Sequence, residues 1–256
     1  MKFEFRKGPF FGSVEKIKEK EKVFYVVVTD IVFLFSLFIL ARIFNLISFN
    51  AAVQNISKAL FLSLLYYLVL LFLYSLSKYI VLSMIKSTFG KHRLNFSNLG
   101  KFYLLNVIIF LVLFGVFFGF GLLAASVKQG LAPYTSLFIL VIYSLASYVF
   151  LNASQVLFFK NGNIGKSLGN GASFLVNVKK YYGVFLTIAA AFGVAVLLFS
   201  VFGSALRNTF FQDYGALLRY GDTYTIIFVH VIGIVFYLAI LFNRFYFYSI
   251  LKQKLK

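Results

Sequence analysis

Residues 23–47 read VFYVVVTDIVFLFSLFILARIFNLI, and this stretch decides the fold. Coiled as an α-helix at ~1.5 Å per residue, it is long enough to cross the ~30 Å hydrocarbon core of a bilayer. One carboxylate, Asp30, interrupts it about a third of the way along. A short acidic side chain at that depth cannot reach water easily and needs a partner inside the protein.

Working outward, five more runs of the same kind follow. The six predicted spans are 23–47, 59–85, 102–127, 133–159, 181–205 and 224–251. Their continuity excludes a β-barrel, whose strands cross in about ten residues with alternating polarity. The chain is therefore expected to be an all-α polytopic membrane protein, with interfacial amphipathic helices on the cytoplasmic side. Composition agrees: of 256 residues 61% are hydrophobic, only 12% are charged, and the mean hydropathy is +0.91. That is about half the charge share of a soluble domain. Cysteine is absent, which removes disulfides, thiolate metal sites and cysteine nucleophiles. The net charge of +18 does not point to nucleic acid, because the basic residues lie in short connections between apolar runs instead of gathering on a soluble face.

The distribution of those bases sets the expected orientation. Alternate segments hold seven Lys and Arg (residues 1–22), five (Lys78, Lys86, Lys91, Arg93, Lys101), four (Lys160, Lys166, Lys179, Lys180) and four (Arg244, Lys252, Lys254, Lys256). The opposite side holds only Arg42, Lys58, Lys128, Arg207 and Arg219. Both termini are thus expected on the cytoplasmic face of a cell membrane, with residues 206–223 outside. The organisation is a basic N-terminal segment (1–22), a six-helix domain (23–251) and a tail (252–256). Phe10, Phe11, Val14, Ile17 and Phe24 recur at helical spacing, so residues 1–22 form either an interfacial amphipathic helix or a solvated basic tail.

The three inner connections share a pattern: Phe11-Gly12-Ser13-Val14, Phe96-Ser97-Asn98-Leu99 and Gly165-Lys166-Ser167-Leu168 each precede a span by a similar distance. Either three repeats of interfacial helix plus hairpin or convergent loop chemistry accounts for it. In the third connection, Leu168, Ala172, Leu175 and Val176 alternate at helical spacing with Lys166, Asn170, Asn177 and Lys180, which predicts an amphipathic helix within 165–180. The stretch Gly165–Leu186, GKSLGNGASFLVNVKKYYGVFL, resembles the inner loop of a group of six-span prokaryotic membrane proteins. That group includes the membrane domain of glycerophosphodiester phosphodiesterases and archaeal stand-alone proteins. The resemblance implies an all-helical membrane module; no soluble phosphodiesterase domain is present in this chain, so it implies no such activity.

Catalytic groups are sparse. The two histidines, His92 and His230, are not at metal-ligand spacing, and six of the seven acids lie outside the predicted spans. No H-E-x-x-H, P-loop or G-x-S-x-G motif occurs. No catalytic residue, cofactor or metal site is therefore expected. Gly115 with Gly119, and Ala189 with Gly193, form small-xxx-small pairs that let helices approach closely, within the chain or in a homo-oligomer. Polar stripes run along Ser63, Tyr67, Tyr74 and Lys78, along Ser144, Tyr148, Asn152 and Gln155, and along His230, Tyr237 and Arg244. His230 falls toward the outer side. By depth, Asp30, Lys78 and Arg244 converge with Asn106, Asn152 and Gln155 in the inner third of the spans. This layer is either interhelical glue or a site.

Two functions fit: a non-enzymatic membrane module that binds lipid, anionic head groups included, or a partner protein; or a small-solute transporter using the layer around Asp30. The charge asymmetry is testable because the chain has no native cysteine. A membrane-impermeant thiol reagent should label Gly215→Cys in intact cells and leave Gly162→Cys unlabelled. The reverse pattern overturns the orientation.

Overall fold

The computed structural model describes residue 13 and residues 20–54, 56–90, 94–125, 132–209 and 214–253. Among these there is no strand. Six long helices account for most of them: α1 (Lys20–Gln54), α2 (Ile56–Thr88), α3 (Leu99–Ala125), α4 (Ala132–Asn161), α6 (Tyr182–Thr209) and α7 (Tyr214–Gln253). A short helix, α5 (Ile164–Val176), separates α4 from α6. Each of the six is apolar and long enough to cross a bilayer, so the chain is a multi-pass membrane protein. The helices outrun the predicted spans at most ends. Even α3, with 27 residues, extends about 40 Å, and α7 has 40 residues.

These extensions change two sequence expectations. Residues 206–223 are not an extended loop, since α6 continues to Thr209 and α7 already begins at Tyr214. Lys20, Glu21 and Lys22 belong to α1 instead of a separate N-terminal segment. The expectation of an amphipathic helix before them falls on residues 1–12 and 14–19, outside the described residues.

The contacts divide the chain into two compact units, residues 18–177 and the remainder, where the sequence reading drew one six-helix domain. In the first unit, α1 and α2 form an antiparallel hairpin. Its register is set by Lys22 Nζ donating to the Ser87 carbonyl at 3.0 Å, by the Phe33 and Tyr74 rings at 6.4 Å, and by Phe44 stacked on Tyr66 at 4.2 Å. Helix α3 runs back along α2, and α4 packs against both. The Tyr79 ring lies 5.4 Å from Phe102 and 4.7 Å from Phe159, so one aromatic group joins α2, α3 and α4.

Burial is confined to one half of this unit. Buried side chains run from Ser75 to Thr88 in α2, from Phe102 to Ile109 in α3 and from Val149 to Phe158 in α4. The other halves expose Leu60, Phe61, Phe114, Phe118, Leu137 and Phe138. A soluble protein does not display so continuous an apolar surface, whereas lipid tails solvate it without cost. The polar stripes therefore face inward over only part of their length. Tyr67, Ser144 and His230 are exposed, and Ser63 is half-exposed.

Helix α5 doubles back on α4 through a two-residue turn. Gly162 adopts φ +64, and its N–H closes on the Phe158 carbonyl at 2.7 Å. That left-handed conformation favours glycine. Asn163 caps the new helix, its side chain accepting from the Lys166 N–H at 3.0 Å. The face that α5 turns to the protein is Ser167, Gly171 and Phe174. At Gly171 a Cβ would run into Ser154 Oγ, so this is where the chain uses glycine for close helix approach. The expected small-residue pairs do not serve that purpose within the chain, because a Cβ on Gly115, Gly119 or Gly193 would meet open space. The amphipathic segment is shorter than 165–180: Asn177 ends it, and Val178–Lys180 form a 3-10 turn. Ala172 and Val176 point outward from it. Among the described residues the second connection has no counterpart to α5, only the 3-10 turn Phe96–Asn98 running directly into α3, so the second and third connections differ; the first lies outside the described residues apart from Ser13.

In the second unit, α6 and α7 form an antiparallel hairpin. Thr187 Oγ1 donates to Asn243 Oδ1 at 2.6 Å, and the Tyr224 hydroxyl donates to the Phe199 carbonyl at 3.0 Å. Gly183 lies under the Tyr246 ring, 2.6 Å from where its Cβ would stand.

A buried polar layer as candidate functional site

The candidate site is assembled from three helices of the first unit. Helix α2 brings Tyr74, Ser75 and Lys78 to one side through three- and four-residue spacing, and α4 does the same with Tyr148, Asn152 and Gln155. Helix α3 contributes Asn106 between the buried Phe102, Leu105 and Ile109. Asn106 and Gln155 have no solvent exposure, and Asn152 and Lys78 are 4% and 8% exposed.

Burial of so many amides is tolerable only if they bond one another. Gln155 Nε2 donates to Asn106 Oδ1 at 2.8 Å and lies 3.1 Å from the Tyr74 hydroxyl. Asn106 Nδ2 donates to Ser75 Oγ at 2.9 Å, and that hydroxyl donates to the Leu71 carbonyl at 2.7 Å. The result is a continuous chain of donors from α4 through α3 to α2, in which each bond polarises the next. Beside it, Lys78 Nζ donates to Asn152 Oδ1 at 3.0 Å. Asn152 is held for this by its own amide, which donates to the Tyr148 carbonyl one turn earlier at 2.8 Å. Within this layer Gln155 Oε1 is buried and has no hydrogen-bond partner among the described residues.

The layer thus unites four of the six residues expected to cluster: Lys78, Asn106, Asn152 and Gln155. Asp30 is also buried, 7% exposed, on α1. The pairings of Lys22 with Ser87 and of Phe33 with Tyr74 set its position along α2 at the level of Lys78. Arg244 is half-buried and belongs to the second unit. Its neighbour Asn243 is fully buried and bonded to Thr187. His230 is exposed on α7, with Nδ1 2.7 Å from the Ile226 carbonyl of its own helix. Among the described residues, no three His, Cys, Asp or Glu side chains come together.

Sequence reasoning overlooked Ser75, Thr187 and Asn243. Ser75 had a usable signal, since it lies three residues before Lys78 on the same face. Asn243 was overshadowed by the charge of Arg244 beside it. Thr187 had none, because a lone threonine in an apolar helix usually bonds its own backbone.

No protein-family model, curated protein or solved structure matches this chain, so fold and site rest on the residues themselves.

The shared level of Asp30 and Lys78 on adjacent antiparallel helices leads to a prediction. Asp30→Asn and Lys78→Met should each lower the thermal stability of the detergent-solubilised protein, because each strands a buried charge. The double variant should recover part of the loss, a coupling of about 1 kcal/mol or more. Strictly additive losses would exclude the pair.

Proposed function

We propose that this multi-pass membrane protein is a non-enzymatic module that binds lipid or a partner protein in the cell envelope, with both termini on the cytoplasmic side. The observation that carries the reading is the sealed polar layer. Asn106 and Gln155 bond each other and touch no solvent, and Asn106 is tied on to Ser75. A transport site has to be reached by water from at least one side, and its helices are usually broken at mid-membrane. Here α2, α3 and α4 run unbroken through the layer. The absence of catalytic motifs and the basic inner connections support the same reading. So does the resemblance of residues 165–186 to the six-span prokaryotic group. The faces of Gly115 with Gly119 and of Ala189 with Gly193 are open, as a homo-oligomer or protein partner would require.

One observation favours a second reading, a small-solute transporter. Gln155 Oε1 is a buried acceptor with no donor among the described residues, as a substrate or ion contact would be. The two readings separate by water access. Ser75→Cys is a near-isosteric probe at the centre of the layer. Under the module reading a water-soluble cationic methanethiosulfonate leaves it unmodified in native membranes while modifying Lys160→Cys at the exposed end of α4. Reaction at Ser75→Cys would instead establish a cavity reaching the layer and favour transport.

A further inference from the structure

A second polar feature lies at the basic end of the first unit, away from the layer. A cleft of about 340 Å³ opens between the end of α2, the turn that starts α3 and the end of α4. Lys86 and Lys160 stand on its walls with Asn95, Ser97 and Asn98, and among the described residues no carboxylate lines it. Its geometry is fixed by its own bonds. The Tyr79 hydroxyl donates to the Asn95 carbonyl at 2.5 Å, holding the turn against α2. Asn95 Oδ1 accepts from the Ser97 N–H at 2.9 Å, and Lys86 Nζ donates to the Phe159 carbonyl at 3.0 Å. An ammonium has three donors, so the Lys86 head still offers two. Lys160, Asn95, Ser97 and Asn98 are exposed. Two ammonium groups, amides and a hydroxyl around an open space make a set of donors with no negative charge among the described lining residues to balance them. On the same turn, Leu94 and Phe96 flank Asn95 in sequence and are exposed apolar side chains, 46% and 48%, and the Phe96 ring stacks on the lining Tyr79 at 6.2 Å. Donors in the cleft and exposed apolar side chains on the turn beside it match a ligand that is anionic at one end and greasy at the other.

We propose that this cleft binds a phosphate ester, presented by the head group of an anionic phospholipid, with its acyl chains along the exposed apolar faces of the helices. This rests on the lipid-binding arm of the module reading and gives it a place and a chemistry. Each lysine near an anionic lipid surface adds to the attraction, and the two here act on one phosphate. The cleft is at the helix ends, where a head group resides when the apolar runs occupy the hydrocarbon.

The test uses the full chain in a neutral detergent, with thermal unfolding as the readout. Dioleoylphosphatidylglycerol should raise the midpoint by about 2–4 °C, while dioleoylphosphatidylcholine should not. Lys160→Glu and Ser97→Asp put negative charge into the cleft at exposed positions that the fold does not need. Both should abolish most of the rise. Lys58→Glu, the same charge change at an exposed position near the start of α2, should keep it. Glycerol 3-phosphate distinguishes the source: a rise with the lipid alone identifies a membrane head group, and an equal rise with the soluble ester identifies a phosphate metabolite in the same cleft. An equal rise in wild type and both cleft variants would overturn the cleft and leave the module reading standing. No rise with phosphatidylglycerol or the soluble ester would overturn the cleft and remove the support it lends to lipid binding.

Discussion

Inside a bilayer an amide has no water to fall back on, and the side chains of Asn106 and Gln155 have no solvent exposure at all. Their mutual hydrogen bond, continued through Ser75, is the constraint on which the first unit depends. It cannot form unless α3 and α4 are rotated to present these two residues to each other and to α2. Dispersion between apolar helices would hold them together in many rotations, since lipid is as apolar as leucine. The amides select one. Once that rotation is chosen, Asn152 faces Lys78, and the Tyr79, Phe102 and Phe159 rings meet one turn nearer the basic end.

The same helix carries the order onward to the cleft. Tyr79 follows Lys78 directly, and its hydroxyl anchors the turn at Asn95, while Lys86 two turns later reaches the Phe159 carbonyl. The donors around the cleft are therefore placed by the elements that build the layer. Helix α5 secures the end of α4, where Gly171 allows it to press against Ser154. The opposite halves of these helices present apolar side chains outward and are tied by the Tyr143 hydroxyl donating to the Leu113 carbonyl at 2.8 Å and by Phe44 stacked on Tyr66. Within the first unit the buried polar contacts gather at one end, and the other end presents mainly apolar side chains.

Much of this was legible in the sequence because membrane depth can be counted. Lys78, Asn106, Asn152 and Gln155 were placed together from their distances to the span ends, and the structure joins them. What depth does not reveal is rotation. Ser63, Tyr67, Ser144 and His230 repeat on the same stripes yet lie where the helices face lipid or head groups, so periodicity overstated the polar interior. Gly115 and Gly119 carried the expected spacing without a neighbour to receive them, whereas Gly171 acts alone because a hairpin turn forces α5 onto α4. The cleft was invisible for a different reason. Asn95, Ser97, Lys86 and Lys160 come from three separate segments, and only the packing of α2, α3 and α4 brings them around one space.

The central claim is that a dry hydrogen-bonded chain fixes the helices, and it is tested most directly by the coupling between Asn106 and Gln155. Thermal unfolding of Asn106→Leu, Gln155→Leu and the double variant measures it. The account predicts that each single change is costly, by about 1–3 kcal/mol, because it leaves a buried amide unsatisfied. It also predicts that the double variant is less destabilised than the sum by about 1 kcal/mol, as the whole bond becomes apolar. Two small and additive losses would contradict it, showing that the amides reach water or other partners and that packing alone sets the helices.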